Sequence, residues 1–129
     1  MSRGMNAPDV ETEVNLQDGE EKVTYNEDQG IQNAGTFVFV KEDHTLGNLL
    51  RGQLLADLKN IFAGYIIPHP LKHEMHVKIQ TEGQDYTPVR SMENAIQLLQ
   101  REAIQLEKAV RNAIDKMEEE EEDMDMDDF

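Results

Sequence analysis

Apolar residues change their period several times along this chain, and each change predicts an element. Thr36-Phe37-Val38-Phe39-Val40 is β-branched or aromatic throughout and predicts a central strand, apolar on both faces. Residues 61–67 predict a second strand. Pro68-His69-Pro70 ends it, because neither proline can donate to a ladder. Residues 75–81 alternate, with Met75, Val77 and Ile79 facing a core and His76, Lys78 and Gln80 facing out. A shorter strand signal lies at 21–25, and the Asn, Asp and Gly content of 26–35 suits a turn.

Two segments carry a helical period. Leu46, Leu50, Leu54 and Leu58 recur every fourth residue, with Leu49 and Leu55 widening the face. Asp43 or Thr45 can cap the start of this helix by accepting a free backbone N–H. Gly47 and Gly52 each cost it about 1 kcal/mol relative to alanine. Close backbone approach and ordinary sequence drift both account for them at this level. The second helix opens at Thr87-Pro88, a cap followed by proline at the first helical position. Met92, Ile96, Leu99, Ala103, Leu106, Val110, Ala113 and Met117 then alternate spacings of four and three, an unbroken heptad stripe. At ~1.5 Å per residue, a helix over 88–117 is about 45 Å long and outruns strands of about 20 Å. Half the stripe is therefore expected to lie uncovered, as interfaces do. The order strand, strand, helix, strand, strand, helix predicts an α+β fold: a small antiparallel sheet with two helices on one face.

Charge divides the chain further. The net charge of −15 over 129 residues is confined to the ends. Residues 1–30 carry −6, residues 31–117 balance to zero, and residues 118–129 carry −9. The expected organisation is an acidic N-terminal extension over 1–18, a folded domain over 19–117 and a disordered acidic tail over 118–129. A neutral core with acidic ends lacks the basic surface that displaces phosphate counterions, so little or no direct nucleic-acid contact is expected. The start of the chain has no apolar run of the kind a secretory signal needs, and no run approaches a membrane span. The absence of cysteine excludes disulfides and thiol chemistry.

Three clusters invite a chemical reading. His69, His73 and His76 lack a clear fourth ligand and read as surface histidines near a loop. Glu42-Asp43-His44 reads as helix capping, since nothing supplies a pocket or a substrate. Asp123, Asp125 and Asp127 lie in the acidic tail with no adjacent core to fix the octahedral geometry magnesium demands. No catalytic residue, metal or cofactor is expected.

Two segments carry a resemblance. Asp43-His44-Thr45-Leu46-Gly47-Asn48 opens the first helix, and Phe62-Ala63-Gly64-Tyr65-Ile66-Ile67-Pro68-His69-Pro70-Leu71 ends the third strand. Both resemble signatures of the small alpha-like subunits of archaeal and eukaryotic RNA polymerases, relatives of the bacterial alpha N-terminal domain. The likeness covers about residues 19–117. Gln53-Leu54-Leu55 and Phe62-Ala63-Gly64 resemble the polymerase II branch more than the branch shared by polymerases I and III. Residues 57–61 depart from it, lacking the proline often found there. The resemblance implies a nuclear, non-catalytic subunit that pairs with a larger alpha-like subunit. That pair is then the platform for the second-largest catalytic subunit and the other polymerase subunits. Carried over by position, Leu46, Gly47, Leu50 and Leu54 fall in the first contact helix. Ile96, Leu99, Ala103, Leu106 and Val110 fall in the second. A stand-alone homodimer built on the heptad helix is the competing expectation.

Overall fold

The computed structural model describes residues 16–127, so the expectations for residues 1–15 and 128–129 lie outside it. Its elements are β1 (Val23–Glu27), β2 (Ala34–Val40), α1 (His44–Ala56), β3 (Asn60–Ile66), β4 (Glu74–Thr81) and α2 (Pro88–Asp127). The four strands form one antiparallel sheet in the order β1-β2-β4-β3. This is the predicted α+β arrangement. The first strand begins two residues later than expected, because its pairing with β2 sets Val23 opposite Phe39 and Tyr25 opposite Phe37.

Register decides which side chains share a face. Phe37 and Tyr65 both pair with Val77, while Phe39 pairs with Met75 and Ala63 with Ile79. These residues therefore point to the same side of the sheet. Phe37, Phe39, Ala63, Met75, Val77 and Ile79 are all buried there, together with Leu50 and Leu54 of α1 and Met92 and Ala95 of α2. The alternation read from residues 75–81 is realised in full. A bulge between Asn60 and Phe62 shifts the register of β3, so Asn60 faces the helices while Phe62 turns outward.

Local chemistry sets the limits of α1. Asp43 is its cap, accepting from the backbone N–H of Thr45 at 2.9 Å. The helix stops at Ala56, earlier than the leucine period implies. The Leu54 carbonyl accepts from the Asp57 backbone N–H at 3.3 Å and the Asn60 amide at 2.8 Å, so its end is satisfied without another turn. Leu58, expected as the fourth member of the stripe, consequently lies beyond the helix and is 94% exposed.

α2 runs for 40 residues, through the segment expected to be a disordered tail. Glutamate and methionine are good helix formers, and residues 111–127 contain neither glycine nor proline. Acidic composition therefore changes the surface of this segment without breaking its backbone period. The chain separates into two compact units, one ending at Ala95 and one beginning at Ile96. The division falls inside α2.

Candidate functional site

The two sequence signatures form one cluster in the first unit. The hydroxyl of Tyr65 on β3 donates to Asn48 Oδ1 at 3.1 Å, and His44 Nδ1 lies 2.9 Å from the Tyr65 hydroxyl oxygen. With the tyrosine proton given to Asn48, the Nδ1–H form of His44 donates to Tyr65. The two rings also meet edge to face, with centroids 5.7 Å apart. Gly47 is buried beneath this ring: a Cβ there would lie 2.6 Å from Tyr65. Close approach thus accounts for Gly47, although the approaching group is a side chain. Gly52 has nothing within 4 Å of where a Cβ would be, so no contact requires glycine there. Gly64 lies under Phe62, whose ring would be 3.2 Å from an added Cβ.

Electrostatics reinforces the start of α1. The Asp43 carboxylate is held below its ordinary pKa, chiefly by the backbone N–H of Thr45, then by that residue's side chain and by His44. Pro68, His69 and Pro70 lie in the exposed loop after β3, where His69 Nδ1 accepts from the Leu71 backbone at 3.1 Å. His76 lies beside Glu74 at 3.5 Å, on the sheet surface away from the helices. His69 and His76 are thus engaged locally.

A second cluster was not anticipated. Asp57 accepts from the Tyr86 hydroxyl, which in turn accepts from the Asn94 amide at 3.1 Å. Ser91 donates to Asn60 Oδ1 at 2.7 Å, and Asn60 donates to the Leu54 carbonyl. Lys59 sits 5.0 Å from the Tyr86 ring centre. These bonds clip the end of α1 to the first turns of α2. Burial, then the hydrogen bond to Asp57, raises the Tyr86 pKa. The contributing residues fall partly within 57–61, the stretch that departs from the family pattern. Its polar content was the available signal.

The apolar surfaces differ in availability. Leu50 and Leu54 are 1% and 0% exposed and belong to the chain's own core. Side chains sealed in this way leave no area of their own for a partner. Gly47 is likewise occupied by Tyr65. Leu46 is half-buried, and Leu49 next along the same flank is exposed. In the second unit the stripe is open. Ile96 is at the edge of exposure, Leu99 is half-buried, and Ala103, Leu106, Val110, Ala113 and Met117 are exposed. The apolar heptad seam of this unit is thus largely uncovered among the described residues, a pattern common to interaction surfaces.

Comparison with known proteins shows the family. Residues 34–109 match the family model described as the RNA polymerase Rpb3/Rpb11 dimerisation domain. This chain belongs to that family. The match begins at β2 and ends within the uncovered stripe of α2. Among relatives of this Rpb3/Rpb11 domain protein is the DNA-directed RNA polymerase II subunit rpb11 of Dictyostelium discoideum. It is 44% identical over 112 residues, covering 87% of this chain and 92% of that protein. The DNA-directed RNA polymerase II subunit RPB11 of Schizosaccharomyces pombe is 41% identical, over 74% of this chain and 76% of its own length. The crystal structure of DNA-directed RNA polymerase subunit L from Thermoplasma acidophilum shares the fold, with a TM-score of 0.61. It is 18% identical and covers 76% of this chain and 95% of that one.

Proposed function

We propose that this chain is the small alpha-like assembly subunit of RNA polymerase II, acting in the nucleus without catalytic residues of its own. It pairs with the larger alpha-like subunit, and the pair forms the platform for the second-largest catalytic subunit. The uncovered heptad stripe of α2, in a chain of the Rpb3/Rpb11 dimerisation family, carries this reading. Ile96, Leu99, Ala103, Leu106 and Val110 supply the contact, joined by Leu46 on the open flank of α1. Leu50, Leu54 and Gly47 act one step back, fixing α1 on the sheet so that Leu46 is presented.

The driving force is apolar burial, at about 25 cal/mol per Å² before the costs of association. The fold supplies a rigid mount: the Tyr65 cluster fixes the start of α1, and the Asp57–Tyr86 clip fixes its end. Coexpression with the larger alpha-like subunits of polymerase II and of polymerases I and III, followed by mass spectrometry of the copurified chains, tests the proposal. Recovery of the polymerase II partner in a 1:1 complex is expected. Recovery of the polymerase I and III partner alone reassigns the branch, and a symmetric homodimer with no partner recovered contradicts the proposal.

A further inference from the structure

The second unit arranges its charges asymmetrically around the apolar seam. With Ile96, Val110 and Met117 at heptad position a, the edge positions e and g hold Glu102, Glu107 and Glu121. Lys116 is the lone base at these edges within 96–121. Arg101 and Lys108 fall at position f, on the far side of the helix from the seam. Glu107 is bridged by Arg111 at 2.9 Å, but their side chains remain 60% and 74% exposed, so the pair is strongly screened. The seam also continues into the acidic segment, where Met124 follows Met117 after seven residues and both are exposed.

We propose that this face takes a helix from a different chain whose own apolar seam is edged by lysine or arginine, and that its acidic rim rejects a second copy of this chain. The inference rests on the reading of the stripe as the partner surface and adds the chemistry of the occupant. Self-pairing is penalised in one orientation and gains no facing base in the other. In a parallel pair, Glu102 of one copy faces Glu107 of the other, and the two acidic segments from Glu118 onward lie side by side. The attraction between Lys116 and Glu121 offsets the first clash but not the second. In an antiparallel pair that seats Val110 against Ala113, the acidic segment meets residues 99–105, whose one base, Arg101, lies behind the seam. In the parallel pair the negative ends of both helix dipoles coincide with the acidic segments and add to the repulsion. A basic-edged partner removes all of these penalties.

The test uses the full chain. Affinity for the larger alpha-like subunit is measured for wild type, for E102K/E121K and for the back-face control K108E, at about 50 mM and about 500 mM NaCl. The rim reversal is expected to weaken binding about ten-fold or more at low salt, with the gap narrowing at high salt, while K108E stays near wild type. In parallel, sedimentation of the lone chain compares wild type with E102Q/E107Q/E121Q. The neutralised variant is expected to self-associate more tightly. Unchanged affinity of E102K/E121K at low salt overturns the rim and leaves the partner reading intact. Failure of the wild type to bind the larger subunit overturns both. Equal self-association of wild type and the neutralised variant overturns the rejection of a second copy.

Discussion

Replacing Leu106 with alanine separates the interface from the fold. Leu106 is 67% exposed in the lone chain, so most of its apolar surface remains to be buried. Full burial of a leucine side chain is worth about 1.5–3 kcal/mol relative to exposure. Two-thirds of that, about 1–2 kcal/mol, is available only on association. Leu106→Ala should therefore weaken partner binding about five- to thirty-fold while the lone chain's stability shifts by less than about 0.5 kcal/mol. Leu50 is the opposite case. It is 1% exposed, and Leu50→Ala opens a cavity costing about 2–5 kcal/mol of folding stability. Isothermal titration of each variant against the larger alpha-like subunit, with differential scanning calorimetry of the lone chains, measures both quantities. Equal binding by Leu106→Ala and wild type, accompanied by a stability loss like that of Leu50→Ala, would refute the division between stripe and core.

The remaining predictions concern the mount. Gly47→Ala drives a methyl group against the Tyr65 ring and should destabilise the chain by about 1–3 kcal/mol. Gly52→Ala, in open space, should stabilise it by up to about 1 kcal/mol; chemical denaturation measures both. Asn60→Ala leaves Ser91 and the Leu54 carbonyl without their shared partner, and should cost about 1–3 kcal/mol by the same assay. Tyr86 has its pKa raised in the folded chain, so it contributes stability that is complete below the ordinary tyrosine pKa. That contribution is lost as pH rises through the higher folded value. Thermal melts between neutral and strongly alkaline pH should therefore fall less steeply for Tyr86→Phe than for wild type.

Periodicity in the sequence carried most of the architecture. The alternation of residues 75–81 places Met75, Val77 and Ile79 in the core, and the heptad stripe marks both the buried start and the open length of α2. A period shows which residues share a face but not what covers it. Leu46, Leu50 and Leu54 look equivalent along the chain, yet the sheet seals the last two and leaves the first half-open. The leucine period runs on to Leu58, but the helix stops at Ala56 because Asp57 and Asn60 close its end through a network that crosses to α2. Gly47 and Gly52 are likewise indistinguishable until the fold brings Tyr65 from the neighbouring strand over one of them. The charge of the acidic segment points to disorder, while its residues favour helix, and α2 continues to Asp127.

Hydroxyl-radical footprinting of the chain, alone and bound to the larger alpha-like subunit, tests the central claim at the level of side chains. Leu106, Val110 and Met117 should react in the lone chain and become protected in the complex, while Leu50 and Leu54 stay unreactive in both. Stripe residues that remain as reactive in the complex as in the lone chain would place the partner elsewhere and contradict the account.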